Sequence, residues 1–368
     1  MTYLDKLLID VDVEWKTLGD EKVIEIANSG RKPVKSSERI VGENPYYGAN
    51  NIQDFVDGFT HDGTFVLIAE DGTASVKNYS IQWASGKFWA NNHVHVIRGR
   101  ENVDSRFLFH YLKTVNFVPF LSGGDRAKLT KGRLIEIPIP IPPLEIQQKI
   151  VEILDSFTEL SAELTAELTA RKRQFEYYRE KLLTFEDGKV EWKELGEAIN
   201  LQRGKRLIKS QLEETGEYAV YQNALTPLGY YHESNAKAFT TFVICAGAAG
   251  EIGFSDVNFW AADDITFCIA PNNINNKFVY YYLQIQQHKI MSQVRRASVP
   301  RLSKDVLVKI KIPIPSLEEQ NRIVSILDKF DILTTSIGDG LPKEIELRKK
   351  QYEYYRDLLL TFPKKEIA

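Results

Sequence analysis

Between residues 144 and 185 apolar side chains recur three or four positions apart: Ile150, Leu154, Phe157, Leu160, Leu164, Leu168, Phe175, Tyr178, Leu182 and Phe185. Such spacing draws a single stripe along a helix. A helix of about 40 residues is about 60 Å long at 1.5 Å per residue, more than one small core can cover. It needs a partner helix, and the same chain supplies one. Ile323, Leu327, Phe330, Leu333 and Ile337, followed by Ile345, Tyr352, Tyr355, Leu359 and Phe362, repeat the pattern. The two stripes are expected to pack as an antiparallel intramolecular coiled coil. The seam is expected to use Ile150, Leu154, Phe157, Leu164, Leu168, Ile323, Leu327, Phe330, Tyr355 and Leu359.

Both stripes follow a Pro-Ile-Pro run. Proline lacks an N–H and disfavours helix in the residue before it, so the helices are predicted to start after Pro143 and Pro315. Glu145, Glu318 and Glu319 then fall in first turns, where the helix dipole favours acids. The alternating runs that carry the prolines read as strands leading out of the preceding domains. Inside the first helix Ser161-Ala162-Glu163-Leu164 is followed by Thr165-Ala166-Glu167-Leu168, each unit adding about 6 Å. The second stripe is four residues longer between Phe330 and Arg348 than the first between Phe157 and Arg171. The extra residues include Gly338, Gly340 and Pro342, poor choices for a helix interior. A break is predicted there, with Pro342 in the first turn of a restarted helix.

The remaining segments, 13–142 and 190–315, mix β-rich runs such as 64–69 and 239–246 with Gly/Asn loops. A more helical stretch follows in each, 105–114 and 276–285. These read as two α/β (α+β) domains of ordinary size. The chain is an internal repeat with pseudo-twofold character. Val13-Glu14-Trp15-Lys16 returns as Val190-Glu191-Trp192-Lys193, 137–157 returns as 310–330, and 171–185 returns as 348–362. Leu4-Asp5-Lys6-Leu7-Leu8 resembles the end of the first helix, so the N-terminal segment is expected to pack beside the end of the last helix. Between the shared blocks the halves diverge. One framework thus presents two different variable domains.

Composition narrows the partners. The chain has 368 residues, is 43% hydrophobic and 26% charged, and has a formal charge of −3. It shows no signal-peptide core and no run long enough for a membrane span, so a cytoplasmic location with no membrane partner is expected. Cys245 and Cys268 are expected to be reduced. The mild net acidity argues against nucleic acid, but local charge argues for it. Residues 122–134 hold four basic groups and one acid, 203–209 hold four and no acid, and 289–309 hold six against Asp305 alone. Basic clusters in Gly/Ser-containing loops suit phosphate contact.

Catalytic patterns are weak. Asn44-Pro45-Tyr46-Tyr47 lacks the second proline of an adenine methyltransferase loop and reads as a turn. Glu14-Trp15-Lys16 and Glu191-Trp192-Lys193 contain the Glu-x-Lys of nucleases without a Pro-Asp partner, and read as domain entrances built around a tryptophan. Asp263 and Asp264 are matched near Asn91 and Asn92, so the halves share no metal site. His93 and His95 lack a third ligand, which favours surface or core roles over zinc. No P-loop or dinucleotide fingerprint is present.

Taken together, Pro138-x-Pro140-x-Pro142-Pro143-Leu144-Glu145-x-Gln147 with its following stripe, Pro313-x-Pro315-x-Leu317-Glu318-x-Gln320 with its own, and the Arg-Lys-x-Gln-aromatic ends resemble the specificity (S) subunit of type I restriction–modification systems. The Thr-Ala-Glu-Leu unit resembles the IC branch. The resemblance implies four parts: a first target recognition domain over 1–142, a spacer helix over 143–185, a second recognition domain over 186–315, and a C-terminal spacer helix over 316–368. It implies double-stranded DNA as ligand, each domain reading half of a split asymmetric site, with two methyltransferase subunits docked on the helices. Two restriction subunits can complete such a complex. The chain itself would catalyse nothing and hold no cofactor or metal. S-adenosylmethionine would belong to the methyltransferases, ATP and Mg2+ to the restriction subunits.

Base edges are read mainly by Arg, Lys, Asn and Gln. The candidate DNA-binding residues are Arg31, Lys32, Asn50, Asn51, Arg126, Lys128 and Lys131 in the first domain. In the second they are Arg203, Lys205, Arg206, Gln222, Asn223, Arg295, Arg296 and Arg301. Three rivals stand beside this reading: the partner of a type IIB or IIG system, a coiled-coil protein adaptor without DNA readout, and a nuclease using the Glu-x-Lys pairs.

Overall fold

A computed structural model describes residues 7–8, 11–123, 127–186, 188–336 and 338–363. Expectations placed on Leu4–Lys6, Arg126 and Ile337 lie outside the described residues. The longer helices are α1 (Ser105–Leu112), α2 (Leu144–Leu183), α3 (Asn276–Ser292), α4 (Leu317–Thr335) and α5 (Leu341–Leu359). The chain forms two compact units. The first is Met1–Leu164 with Ile345–Ala368, and the second is Thr165–Glu344. Each unit therefore contains one mixed domain and one half of α2.

In the first unit an antiparallel sheet runs in the order Ile24–Ile26, Val94–Gly99, Phe65–Ala69, Ile81–Ala84. Its central strand Phe65–Ala69 is buried at every position, so the run is continuously apolar instead of alternating. Helix α1 covers this sheet with Phe107, Leu108, Phe109 and Leu112. A second sheet orders Ile52–Val56, Val41–Tyr47, Lys87–Ala90 and His61–Asp62, with Val41–Tyr47 parallel to Lys87–Ala90.

The second unit has the same plan. Its antiparallel sheet is Asn200–Arg203, Ile265–Ile269, Thr240–Ile244, Ile252–Ser255, covered by α3. Its small sheet is Gly229–Tyr231, Tyr218–Tyr221, Phe259–Ala261, the last two strands parallel. Divergent sequences thus build one topology, because only the burial pattern of the strands must be kept.

The repeated short motifs are strand partners. Glu14–Thr17 pairs antiparallel with Pro138–Ile141, Trp15 opposite Pro140. Glu191–Glu194 pairs likewise with Lys311–Ile314, Trp192 opposite Pro313. Each two-stranded ribbon closes its domain where the chain enters and leaves. Proline is tolerated because a two-stranded ribbon has free edges. Within each motif Lys16 pairs with Glu14 at 2.6 Å and Lys193 with Glu191 at 3.2 Å.

The glutamine of the Leu-Glu-x-Gln motif joins helix to domain. Gln147 is 0% exposed. Its Nε2 donates to the carbonyls of Asn102 and Pro142, both at 2.8 Å, and its Oε1 accepts from the Asp104 N–H at 2.8 Å. Asp104 in turn caps α1. Gln320, also 0% exposed, repeats this. Its Nε2 donates to Asn273 and Pro315, its Oε1 accepts from the Asn275 N–H, and Asn275 caps α3.

Two turns further on, an acid makes a second tie. Asp155 accepts from Arg106 at 2.9 Å and from His110 at 2.8 Å. Asp328 accepts from the Tyr281 hydroxyl at 2.6 Å and pairs with Lys277 at 2.9 Å.

Within each unit α2 meets a different partner. In the first, Phe157 stacks on Tyr355 of α5, and Ile150, Leu154 and Leu359 share the core. In the second, Phe175 and Tyr178 stack on Phe330 of α4, and Phe175, Ile323 and Leu327 share the core. Both pairs run antiparallel. Leu164 and Leu168 are half-buried and belong to neither core.

The second stripe is broken as its Gly and Pro residues predict. Helix α4 ends at Thr335, and α5 begins at Leu341 with Pro342 in its first turn. Helix α4 starts after Ser316, whose hydroxyl caps it, one residue later than Pro315 alone predicts. The N-terminal segment meets the last helix: Leu7 and Leu8 pack on the core of Leu359, Leu360 and Phe362. The Trp15 indole donates to the Pro363 carbonyl at 3.3 Å.

One expectation is overturned. Asn44-Pro45-Tyr46-Tyr47 is not a turn but the end of strand Val41–Tyr47. A register shift between Val41 and Asn44 absorbs the irregularity, and buried Tyr46 and Tyr47 hold the segment in the sheet.

Gln147→Ala leaves the Asn102 and Pro142 carbonyls and the Asp104 N–H without their fully buried partner, and should destabilise the first unit by about 2–4 kcal/mol. Gln320→Ala should cost the second unit a similar amount, both read as shifts in denaturant midpoint. A loss below about 0.5 kcal/mol in both would show that the tie is dispensable.

Burial pushes the His110 imidazole down to about 4, against the pull of Asp155. Its Nδ1 has no partner, as suits a neutral ring donating from Nε2. The unfolded ring takes a proton near pH 6.5. The stability it contributes is therefore whole above pH 6.5 and falls as the pH drops towards 4, by up to about 1.4 kcal/mol per unit. His110→Tyr, which copies Tyr281, should lose less stability than the parent between pH 7 and 5 in parallel urea titrations.

Candidate nucleic-acid interface

Backbone pairing sets the two domains in register without reference to side chains. The Glu70 N–H donates to the His93 carbonyl, and the Leu129 N–H to the Glu70 carbonyl. The Cys245 N–H donates to Asp264, and the Leu302 N–H to Cys245. Glu70 thus corresponds to Cys245, His93 to Asp264 and Leu129 to Leu302. A pair of antiparallel bridges crosses this end of each sheet. Lys128 bridges Ser122 and Asp71 in the first domain, and Arg301 bridges Arg295 and Ala246 in the second. The basic segments 122–134 and 289–309 therefore arrive at one place in the fold. Gly72 and Gly247 turn the chain beside them at φ of 69° and 84°, a conformation that favours glycine.

Around this end the structure gathers most of the sequence candidates. In the second domain, the Gln222 amide lies 3.5 Å from Asp264, and the Asn223 carbonyl accepts from the Ala248 N–H. The Arg203 Nε donates to the Asp263 carbonyl at 2.7 Å. Arg295 and Arg301 are cross-strand neighbours with Arg296 beside them. Arg203, Lys205, Arg206, Arg295, Arg296 and Arg301 are all exposed, and none of the ion pairs among the described residues includes them.

The first domain is charged differently. Arg31 donates to Glu70 at 2.6 Å and to the Val94 carbonyl at 2.8 Å. In the second domain the Gly204 N–H takes the equivalent carbonyl, Ile265. Arg31 thus does inside the domain what a backbone N–H does in its counterpart. Lys128 pairs with Glu70 at 3.1 Å. Burial raises the Glu70 carboxyl, but the bonds from Arg31 and Lys128 outweigh it and hold it below the usual carboxylate range.

Asn50 is spent on the loop at 72–74, its Nδ2 donating to Gly72 and its Oδ1 accepting from the Ala74 N–H. Asn51 and Lys131 are exposed. His95 is buried, bonded to Asn28 and the Leu129 carbonyl, and burial lowers its pKa. His93 lies at the surface against Asp71. Among the described residues no metal-holding cluster occurs. Both cysteines are free, and burial pushes the Cys268 thiol up to about 12.

One feature escapes a reading by residue type. Trp89 and Trp260 occupy matching places, paired with Tyr46 and Val220 on the parallel neighbour strands. The Trp89 indole donates to the Lys32 carbonyl at 2.6 Å and the Lys32 N–H to Ala90 at 3.0 Å. The Trp260 indole donates to the Lys205 carbonyl at 3.1 Å and the Lys205 N–H to Ala261 at 2.9 Å. The signal was in the sequence: Phe88-Trp89-Ala90 recurs as Phe259-Trp260-Ala261.

Residues 11–171 and 188–347 both match the type I restriction modification DNA specificity domain. The chain belongs to this family. The EcoR124I/EcoR124II specificity subunit of Escherichia coli is 33% identical over 100% of this chain and 98% of its own length. A Haemophilus influenzae protein assigned to the same subunit class is 48% identical over 98% of both chains. The crystal structure of a type I restriction–modification S subunit from M. genitalium has the same fold, with a TM-score of 0.69 at 20% identity over 99% of this chain and 100% of that one. This specificity subunit thus carries two copies of the family's DNA specificity domain, and among its described residues no helix is long and apolar enough to cross a membrane.

Proposed function

We propose that the two domains, 1–142 and 186–315, are target recognition domains that each read one half of a split, asymmetric DNA site. The observation that carries this reading is the shared topology with unlike side chains at one end. Gly48 and Ala49 stand where Gln222 and Asn223 do, Glu70 and Asp71 where Cys245 and Ala246 do, and Lys128 where Arg301 does. One scaffold with different donors and acceptors in the same places suits two different half-sites.

The candidate contacts are Lys32, Asn51, Lys128 and Lys131 in the first domain. In the second they are Arg203, Lys205, Arg206, Gln222, Asn223, Arg295, Arg296 and Arg301. The subunit itself performs no chemistry. Spacer helices α2, α4 and α5 hold the recognition domains and dock two methyltransferase subunits, which bind S-adenosylmethionine and modify adenine. Restriction subunits joining the complex would bring ATP and Mg2+.

Co-expression with its cognate methyltransferase subunit, in a host lacking adenine methylation, followed by genome-wide mapping of modified adenines, tests this directly. One split motif with dissimilar halves and a constant gap is expected. No modification, from a methyltransferase active with another specificity subunit, would favour a protein adaptor instead. Inserting one further Thr-Ala-Glu-Leu unit after Leu168 lengthens α2 by about 6 Å. The same mapping should then show a gap wider by about one or two base pairs, at about 3.4 Å per pair. An unchanged gap would refute a ruler role for the helix.

A further inference from the structure

At the loop ends Gly48, Ala49, Glu70 and Asp71 stand where Gln222, Asn223, Cys245 and Ala246 do, yet the lysine held by a tryptophan is the same in both. Lys32 and Lys205 each have their N–H and carbonyl bound, to Ala90 and Trp89 in one domain and to Ala261 and Trp260 in the other. The backbone of each lysine is therefore fixed while its side chain is exposed. None of the ion pairs among the described residues includes either lysine, whereas Arg31 and Lys128 nearby both pair with Glu70. The Lys32 ammonium lies 5.9 Å from the centre of the Trp89 ring.

A feature kept unchanged in two domains that read different sequences does not account for the difference between those sequences. What a duplex presents identically to both is its phosphate backbone. Lysine suits that task, because its ammonium is a point charge on a flexible stem, without the planar fork that pairs with a guanine edge. We infer that Lys32 and Lys205 grip the DNA phosphate backbone, one in each recognition domain, and that Trp89 and Trp260 are the positioning residues that hold them. The inference rests on the DNA-reading assignment above. It divides each loop end in two: a repeated cation that sets the register on the duplex, and side chains such as Gln222 and Asn223 that differ between the domains and face the bases.

The test uses the full chain assembled with its methyltransferase subunits and a duplex carrying the mapped site. Affinity is measured over a range of salt concentrations. Lys32→Gln or Lys205→Gln should each flatten the log–log salt dependence by about 0.9 and weaken binding alike at cognate and non-cognate sites. The double variant should lose about twice as much slope. Lys→Arg at either position should restore it, and the methylated motif should stay the same throughout. Trp89→Phe and Trp260→Phe keep the ring but lose the indole N–H, and should weaken binding partway with the motif unchanged.

An unchanged slope in both Gln variants would overturn the inference, as would a changed motif, which would make the lysines base readers. If the parent complex modifies no split site at all, the DNA-reading assignment itself fails and takes this inference with it. A normal split motif with unaffected Gln variants sinks the inference alone.

Discussion

A carboxamide sealed from water and bonded three ways connects each helix to its domain. Gln147 and Gln320 sit in the first turn after the prolines, where a helix has N–H groups to spare but its preceding carbonyls are awkwardly placed. The amide takes up one such carbonyl, at Pro142 or Pro315, and reaches across to the capping residue of the helix that covers the sheet. Both carboxamides are 0% exposed and each makes three bonds of 2.8–3.2 Å, so the junction tolerates little swing. Asp155 and Asp328 repeat the tie two turns later. Two such points on one helical face fix its direction relative to the sheet, and with it the direction in which each loop end is presented.

This geometry explains why certain features could be read from the chain and others could not. Helical stripes are local, because burial of Ile150, Leu154 and Phe157 leaves a period in the sequence itself. The Gly338–Pro342 interruption is local for the same reason. Strand partnership is not. That Trp15 should lie opposite Pro140 depends on a contact across most of a domain, and the motif alone shows only that something is repeated. The asparagine, proline and tyrosines at 44–47 carry turn chemistry, but the sheet overrides it by burying both aromatic rings.

The candidate contacts show the same limit. Residue type marks Arg31 as a nucleic-acid contact, and only the fold reveals Glu70 and the Val94 carbonyl as its partners. A buried or half-buried cation with two internal acceptors is a structural brace. Conversely, Trp89 and Trp260 look like ordinary core residues until their indole N–H groups are followed to Lys32 and Lys205. The overall charge of −3 misleads in a related way. Acids are spread over the chain, whereas six exposed Arg and Lys side chains of the second domain gather at one end of it. The two domains also place their acids differently there, at Glu70 and Asp71 in one and at Asp263 and Asp264 in the other. Moving a carboxylate from one loop to its neighbour changes which donor is left free, which is how one scaffold can serve unlike partners.

The hydrogen bond from Trp15 to the Pro363 carbonyl has a bearing on how the molecule is made. The first unit takes residues from both ends of the chain, while the second is built from one continuous stretch, 165–344. During synthesis the second unit has all its parts as soon as that stretch has left the ribosome. The earlier-made domain must wait for Tyr355, Leu359 and Phe362 before its core closes. Until then the ring of Phe157 lacks the Tyr355 ring it stacks on. A frameshift or proteolytic cut near the last helix would therefore do its damage in the domain translated first.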